Sequence, residues 1–462
     1  MKALQRAPAA QYQVKRLPVS IPFNMLRNPL QSILRITREY GDMAEFRFGR
    51  YTVCVISHPD LIQEVLVSNH NHFVKSRTMQ FGRKLMGKGL PASEGSFHRN
   101  QRRVIQPSFT HERVANYMRD AFTYANEAID GWREGVPFEF REEMMRLTLS
   151  IAAKALFGTD IRSQAKETRS ALVQSMEHFT IQYYLRVFYF NQDRNPFADF
   201  WETIPVGESR RYRAARISLD RTIEHLVAER RNDGTDHGDL LSTLLRSSDY
   251  EDETAPLSDS QVHDELMTFL LAAHDTTATA LTWALYLLLN DRESWARVQR
   301  EADEELHSAT NGSEPRVRLE FAGRVIAESL RMYPPAWIIG RQAVDDCEVG
   351  GTRIRRGTTI LMSQYALHHD SRFYPDPWTF KPDRWTPEMR TALPKYAYFP
   401  FGGGIRACIG EGFAKSMAAL ILATVALRWN LDLVPTPEVV PHARVTLHPR
   451  RGMVVVPRER NR

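Results

Sequence analysis

The longest apolar run in the chain reads LMTFLLAAHDTTATALTWALYLLL, from Leu266 to Leu289. A helix of that length could span a bilayer. However, His274, Asp275 and four nearby threonines lie in its middle, and an ionisable side chain there is costly in lipid. We therefore predict a helix that is buried through the centre of a large water-soluble protein.

The start and the end of this helix are also marked in the sequence. Ser258 and Gln261 form the S-x-x-Q pattern of a capping box, which predicts that the helix begins there. We expect it to run to about Asn290, roughly 48 Å at 1.5 Å per residue. The stretch that follows, DRESWARVQREADEELH, predicts a second, amphipathic helix.

Other patterns give a coarse order of elements along the chain. The stretch Asp42–Ser57 places two β-rich runs on either side of Gly49-Arg50, which predicts a β-hairpin. Residues 77–96 are rich in glycine and predict a long loop, a kind of segment that often carries function. Helical patterns dominate residues 97–333, and the charged stretch Asp233–Asp259 is expected to be an exposed connection.

The chain changes character beyond Pro334. Short strands, turns and prolines follow, a helix comes after Cys408, and residues 444–457 predict a terminal hairpin. No linker divides the chain, so we predict a single domain over residues 1–462, with an extended N-terminal segment at 1–30. The expected fold class is mainly α with small β-sheets.

Composition narrows the classes of function. The net charge of +6 suits an acidic partner protein or an anionic surface but is too dispersed to predict nucleic-acid binding. Three widely spaced cysteines do not form a disulfide framework, which indicates a reducing compartment, and no CxxC or HExxH motif predicts a zinc site. The N-terminus has no apolar segment typical of a signal peptide or membrane anchor, so we expect a cytoplasmic protein without a transmembrane anchor.

The stretch FPFGGGIRACIGEGFAKSMAA, residues 399–419, sets Cys408 in an unusual loop. Three consecutive glycines from Gly402 let the backbone turn tightly and approach a flat ligand. Helix-forming residues at 411–428 place Cys408 near a helix N-terminus, where a thiolate is favoured, and Arg406 adds a cation. A single thiolate in such a loop suits haem iron, although a lone cysteine beside a glycine turn is more often an inert buried residue.

The spacing F-G-x-G-x-R-x-C-x-G resembles the cytochrome P-450 family of haem-thiolate monooxygenases. The pattern is made by Phe401, Gly402, Gly404, Arg406, Cys408 and Gly410. The resemblance implies a triangular, mostly α prism with haem b, iron protoporphyrin IX, between the long central helix and the cysteine loop. It also implies that Cys408 is the axial ligand and that dioxygen is the co-substrate. The resemblance covers roughly residues 30–460, with five motifs in family order.

The central helix carries the family's acid–threonine pair within Ala272–Thr277, which reads AAHDTT. A threonine hydroxyl can bond the carbonyl four residues earlier, here from Thr276 to Ala272, and so open the helix for dioxygen and water. Thr276 is then expected to donate a hydrogen bond to dioxygen, and Asp275 to relay protons inward. Ala273 stands where the family usually has glycine, which would narrow the oxygen groove or trim the substrate pocket.

The resemblance further implies residues that hold the cofactor. His98 and Arg102 share a helix face, with His98 at a position where tryptophan is frequent, and are expected at the haem propionates. Arg341 and Arg406 match the other propionate positions. Phe401 and Gly402 complete the predicted cofactor site. By the same resemblance a structural network holds the cysteine loop, formed by Glu328, Arg331 and Arg384.

The resemblance implies a lipophilic substrate such as a fatty acid or terpenoid, which is hydroxylated or epoxidised. Pocket walls are expected from residues 77–96, 176–190, the Ala272 region, 336–339 and 445–447. Electrons are expected from a separate ferredoxin or flavodoxin and its reductase, since no such module is attached. A basic face steering that partner is expected from Arg103, Lys395 and Lys415. We expect a monomer.

Three other interpretations remain open at this point. A haem-thiolate enzyme that uses peroxide or rearranges its substrate needs no electron partner, but such relatives tend to lose the pair formed here by Asp275 and Thr276. A haem-thiolate gas or redox sensor usually carries an output domain, and none is visible in the sequence. A structural helical protein with an incidental cysteine would bind no haem.

Overall fold

A computed structural model describes residues 12–18, 20–48, 51–160, 165–185, 207–249, 257–306, 318–435 and 439–460. The chain divides into two compact units. The first comprises Met1–Gln80 and Leu330–Cys408, and the second comprises Phe81–Ser329 and Ile409–Arg462. The single domain over residues 1–462 stays a prediction.

The first unit is built around a six-stranded sheet of order β1-β2-β3-β9-β6-β4. Its strands are β1 (Lys15–Arg16), β2 (Met43–Phe48), β3 (Tyr51–Ile56), β4 (Phe73–Lys75), β6 (Ile339–Ala343) and β9 (Thr359–Met362). A separate antiparallel pair is formed by β7 (Cys347–Val349) and β8 (Thr352–Ile354). The unit also contains short helices: α1 (Ser20–Arg27), α2 (Pro29–Tyr40), α3 (Pro59–Gln63), α4 (Arg77–Phe81), α15 (Gln364–His368) and α16 (Pro387–Ala392).

The hairpin predicted at 42–57 is confirmed. Strands β2 and β3 pair antiparallel from Met43 opposite Ile56 to Phe48 opposite Tyr51. Alternate residues of this hairpin face opposite sides of the sheet. Met43, Cys54 and Ile56 therefore lie in one buried apolar cluster, while Ala44 and Val55 lie in another.

The second unit is mostly helical. Its helices are α5 (Arg83–Met86), α6 (Gly95–Ile105), α7 (His111–Asp130), α8 (Phe140–Phe157), α9 (Ala165–Leu185), α10 (Gly207–Asp233), α11 (Leu240–Asp249), α12 (Asp259–Leu289), α13 (Arg292–Leu306) and α17 (Glu411–Arg428). Helix α14 runs from Glu320 to Met332, and its residues up to Ser329 belong to this unit. One small sheet has the order β10 (Trp429–Leu433), β13 (Val454–Glu459), β5 (Phe138–Glu139), and the other pairs β11 (Pro441–Ala443) with β12 (Leu447–Pro449).

Helix α12 is the long helix that the sequence predicts. Ser258 accepts a hydrogen bond from the backbone of Gln261, and the Gln261 side chain accepts one from the Ser258 backbone, so the capping box is complete. The helix ends at Leu289, with Asn290 as its C-cap. Its later half is enclosed, as shown by Trp283, which is fully buried and donates from Nε1 to the Leu447 carbonyl at 2.7 Å. The mainly α fold with small sheets is thus confirmed.

No helix among the described residues is long and apolar enough to cross a membrane. Helix α12 carries charged residues as well as apolar ones. Its first turns carry acidic side chains, and Asp275 interrupts the apolar run.

Three local predictions need correction. The loop predicted at 77–96 contains the short helices α4 and α5. The stretch Asp233–Asp259 contains helix α11, because Leu240, Leu241 and Leu244 are buried and the flanking charges hid that pattern, while residues 250–256 lie outside the described ones. The predicted terminal hairpin is also wrong in its pairing. Strand β12 pairs with β11, whereas β13 pairs with β10 and β5, a long-range choice that local sequence does not carry.

Candidate active site

The cysteine loop is a tight turn held by backbone hydrogen bonds. The Cys408 backbone N–H donates to the Phe401 carbonyl at 2.9 Å, and the Gly402 N–H donates to the Phe399 carbonyl at 2.9 Å. Gly404 has a φ of 65°, and a Cβ there would collide with the Leu66 carbonyl oxygen. Glycine at 404 is therefore required both by the backbone conformation and by the packing of the loop.

Cys408 differs from the other two cysteines in its surroundings. Burial raises the pKa of the Cys54 thiol to about 12, and burial also raises the pKa of the half-buried Cys347. The Cys408 side chain is exposed, and it precedes the first residue of helix α17, Glu411, by only three positions. Of the three, Cys408 is the most exposed.

The loop is braced within its own unit by a buried arginine and a histidine. Arg331 is fully buried and donates to the carbonyls of His368 at 2.8 Å and Pro377 at 2.7 Å. Burial, and then the nearby Arg331 charge, hold the pKa of His368 well below its usual range, so its ring is neutral. The neutral His368 Nε2 accepts the Phe399 N–H at 3.1 Å, where the cysteine loop begins. His368 therefore positions this loop through Phe399.

Sequence reasoning identified Arg331 but missed His368. Arg384, the predicted third member of the network, donates to the carbonyl of Pro375 at 2.8 Å and lies in the same unit. Glu328 is fully buried on α14. The joint network of Glu328 with the two arginines stays a prediction.

Asp275 and Thr276 lie in the middle of α12. The Thr276 hydroxyl donates to the Ala272 carbonyl at 2.8 Å, which confirms the predicted bond. Thr276 and Ala272 are exposed, while Asp275 is buried. Neighbouring residues thus present a hydroxyl on an open face of the helix and a carboxylate inside the unit.

The Asp275 carboxylate is held by two groups that the sequence did not reveal. Arg141, in the first turn of α8, forms an ion pair with Oδ1, and the Thr446 hydroxyl donates to Oδ2 at 2.7 Å. A largely buried carboxylate needs such partners, because an unpaired charge in the interior is costly. Arg141 and Thr446 lie far from Asp275 in the sequence, and no local pattern marks either of them.

The remaining predicted cofactor residues fall into both units. Arg341 on β6 is buried and donates to the Gly340 carbonyl at 3.0 Å, and it lies in the same unit as Phe401, Gly402, Arg406 and Cys408. In the second unit, α6 carries His98, which is buried, and Arg102, which is partly exposed. Their roles at a cofactor stay predictions.

The donor set of the cysteine loop can be tested against the haem that the resemblance implies. Cys408 offers an exposed sulfur in a loop of small residues, and Arg406 is a nearby partly exposed cation. Within the described ranges no cluster of three or more His, Cys, Asp or Glu could hold a metal ion. A single soft thiolate with a neighbouring cation is a donor set that fits haem iron and a propionate.

Comparison with known proteins identifies the class. The sequence profile of the cytochrome P-450 family matches residues 15–456, so the chain belongs to that family. Members of this family carry a haem with a thiolate ligand and use dioxygen. The chain is accordingly a cytochrome P-450 monooxygenase, and neither a sensor nor a structural helical protein.

Three curated relatives from Streptomyces resemble the chain over nearly its whole length. It is 34% identical to cyclooctatin synthase of Streptomyces melanosporofaciens over 92% of this chain and 90% of the relative. It is 36% identical to cyclooctat-9-en-7-ol 5-monooxygenase of the same organism, over 88% and 86%. It is 31% identical to pentalenene oxygenase of Streptomyces avermitilis, over 93% of each chain.

Proposed function

We propose that the protein binds haem b through the Cys408 thiolate and inserts one oxygen atom from dioxygen into a terpenoid. The exposed Cys408 sulfur carries this proposal, because Cys54 is buried, Cys347 is half-buried, and the pKa values of both thiols are raised. When bound, thiolate-ligated haem supplies the activation of dioxygen. The protein supplies the ligand, the orientation of the substrate and the protons.

Each propionate carries a negative charge that must be paired if it is buried. Arg341 and Arg406, in the unit of Cys408, would pair with one propionate. His98 and Arg102 on α6 would hold the other. Phe401 and Gly402 would contact the cofactor, since they lie at the start of the hydrogen-bonded turn that ends at Cys408.

Protons would reach the site by way of two side chains of α12, Asp275 and Thr276. Asp275 would hold a proton on its carboxylate and pass it towards the Thr276 hydroxyl, the next residue in the chain. The Thr276 hydroxyl already donates to the Ala272 carbonyl, so its orientation is fixed in advance. Arg141 and Thr446 would keep the Asp275 carboxylate at one place between turnovers.

The terpenoid substrate is supported by the relatives, whose names include cyclooctat-9-en-7-ol and pentalenene. A direct test would titrate the purified haem protein with pentalenene, cyclooctat-9-en-7-ol and palmitic acid, following the spin-state shift of the Soret band. We expect a terpenoid to give the shift and to gain one oxygen atom from isotopically labelled dioxygen. Hydroxylation of palmitic acid with no response to either terpenoid would contradict the proposed substrate class.

Electrons would come from a separate acidic ferredoxin or flavodoxin with its reductase. Arg103 and Lys395 are exposed, and Lys415 is partly exposed and ion-paired with Glu411. Basic groups of this kind raise the association rate with an acidic partner at low salt. That these residues share a face stays a prediction, as do the monomeric state and the cytoplasmic location.

Reversing Arg103, Lys395 and Lys415 to glutamate should slow haem reduction by an acidic ferredoxin roughly tenfold at low salt, because steering is lost. The rate should then depend only weakly on ionic strength, which stopped-flow spectroscopy measures. A matched variant with the same change in net charge reverses three other exposed arginines, Arg221, Arg353 and Arg458. Equal slowing in both variants would show that net charge alone acts, not a defined face.

A further inference from the structure

The chain segment Gly87–Leu90, between α5 and α6, is fastened to α12 by two neighbouring carboxylates. The Lys88 N–H donates to Asp264 Oδ2 at 2.7 Å, and the Leu90 N–H donates to Glu265 Oε2 at 3.1 Å. A Cβ at Gly87 would collide with the Asp264 carboxylate. The backbone of this segment therefore lies directly on the helix, held by side chains of α12.

Two further elements hold the same part of the chain. From α6, Gln101 Nε2 donates to the Lys88 carbonyl at 2.8 Å. From α10, Arg216 Nη1 donates to the Leu85 carbonyl at 2.5 Å, at the end of α5, while its Nε donates to Asp220 at 2.9 Å. The segment is thus joined by side-chain bonds to α12 and α6, and the end of α5 just before it is joined to α10.

Glu265 is the unusual member of this set of contacts. It is fully buried, and its Oε1 has no hydrogen-bond partner among the described residues. The other carboxyl oxygen, Oε2, accepts the Leu90 N–H. An ionised carboxylate in that position would be a buried charge with little compensation, whereas a neutral carboxyl group is tolerated.

We propose that Glu265 is a positioning residue whose protonation decides whether the segment Gly87–Leu90 is closed against α12 or open for a lipophilic substrate to enter. The role in entry rests on the proposed function, together with the expectation from the family resemblance that residues 77–96 form part of the wall of the substrate pocket. The closure itself rests only on the contacts of Glu265 and its neighbours.

The direction of the pH dependence follows from burial. Burial raises the pKa of Glu265 from its ordinary value of 4.5 to about 8; the hydrogen bond from the Leu90 N–H opposes this rise, and the Asp264 carboxylate adds to it. Closing the segment therefore takes up a proton between those two pH values. The free energy favouring closure is complete below about pH 4.5, declines as the pH rises, and levels off above about pH 8.

The groups around Glu265 include another one that titrates. His263 bonds Asp264 and pairs with Asp220 at 3.1 Å, and these carboxylates raise its pKa. His263 is therefore a second group close to the segment whose protonation changes with pH. The charged or titratable groups near Glu265 come from α12, the segment and α10, and they are His263, Asp264, Lys88, Arg216 and Asp220; α6 contributes the neutral Gln101.

Hydrogen exchange of the substrate-free holoenzyme tests the closure. After correction for intrinsic exchange, protection of the amides of Lys88 and Leu90 should fall by up to tenfold per pH unit between about pH 5 and pH 8. In Glu265→Gln, which keeps the shape and an acceptor but cannot ionise, that decline should disappear apart from any part due to His263. A wild-type profile that is flat over this range would overturn the proposal without any variant.

A matched control is available on α13. Glu301 is another helix-borne carboxylate with a raised pKa, and it accepts the backbone N–H groups of Phe321 at 2.6 Å and Ala322 at 2.8 Å. Glu301→Gln should leave the pH dependence at Lys88 and Leu90 unchanged. If Glu301→Gln abolishes it as Glu265→Gln does, the effect belongs to the whole unit and not to this segment.

Substrate entry is tested with 4-phenylimidazole, a lipophilic ligand of ferric haem whose arrival shifts the Soret band. The association rate of 4-phenylimidazole is measured in the wild type and in Glu265→Gln. The ratio of the two rates should rise with pH about as steeply as the amide protection of Lys88 and Leu90 falls in the wild type. A constant ratio would show that the segment opens but does not lie on the entry path. This probe needs neither turnover nor a terpenoid, so failure of the proposed substrate class would not affect the result.

Discussion

Replacing Cys408 with alanine is expected to abolish the strongly red-shifted Soret band that the dithionite-reduced protein gives with carbon monoxide. That band reports a thiolate opposite the carbon monoxide, and Cys408 has the exposed sulfur of the three cysteines. Product formation should fall below detection in the same variant. The absorption spectrum of wild type and variant, recorded at equal protein concentration, measures the loss.

Cys347→Ala is the matched control for this experiment. Cys347 is a partly buried cysteine on β7 with a raised pKa, and its removal should leave the carbon monoxide band intact. Circular dichroism should confirm that both variants keep the helical fold. Survival of the red-shifted band in Cys408→Ala would mean that the cysteine loop has another role, and the cofactor assignments built on it would fall.

Asp275→Asn should lower the rate of product formation about a hundredfold, because it removes a proton carrier but keeps the side-chain shape. Arg141 would then face a neutral amide, so the ion pair between Arg141 and the side chain at position 275 would be lost as well. Electrons that no longer reach the product should appear as hydrogen peroxide. The ratio of peroxide to product, measured against consumption of the reductant, distinguishes this loss from a failure to bind substrate.

Thr276→Val offers a second test of the same path, and α12 supplies its control. Thr276 and Thr282 each donate a hydroxyl hydrogen bond to the carbonyl four residues earlier, at 2.8 and 2.7 Å. Thr276 is exposed, whereas Thr282 is fully buried. We expect Thr276→Val to increase peroxide release and Thr282→Val to leave it unchanged. Equal effects would show that helix geometry, and not a proton at the Thr276 hydroxyl, controls coupling.

Helix α12 could be predicted from the sequence because the residues that mark its start lie close together in the chain. The capping box at Ser258 and Gln261 involves neighbouring residues, and the complete box is present. The hairpin at 42–57 is local for the same reason, since its two strands are separated by only two residues in the chain. The bond from Thr276 to Ala272 follows from the pitch of a helix alone.

Predictions failed where a distant element decides the local structure. The sequence of residues 77–96 predicts a loop, yet these residues contain helix α5, and its Leu85 carbonyl accepts a hydrogen bond from Arg216 of the distant α10. Strand β13 was expected in a terminal hairpin, but its partners are β10 and β5, the latter more than three hundred residues earlier. Such pairings depend on which surfaces meet in the folded unit.

Part of the candidate site could not be predicted from the sequence. The fixed spacing around Cys408 is a local pattern, because a tight turn can be built only from residues that are adjacent in the chain. His368, which accepts the Phe399 N–H, comes from a separate stretch, and its neutral state results from burial. Neither the contact nor the burial is visible before the chain is folded.

The sequence by itself determined the family, the long helix with its acid–threonine pair, and the loop that presents Cys408. These features rest on short-range geometry, which residue type and spacing specify directly. The tertiary structure alone decided the surroundings that set the charge and position of each group: Arg141 and Thr446 at Asp275, His368 behind the cysteine loop, and burial around Glu265. Electrostatic energies depend on distance and solvent exclusion in three dimensions, and these arise only when remote parts of the chain pack together.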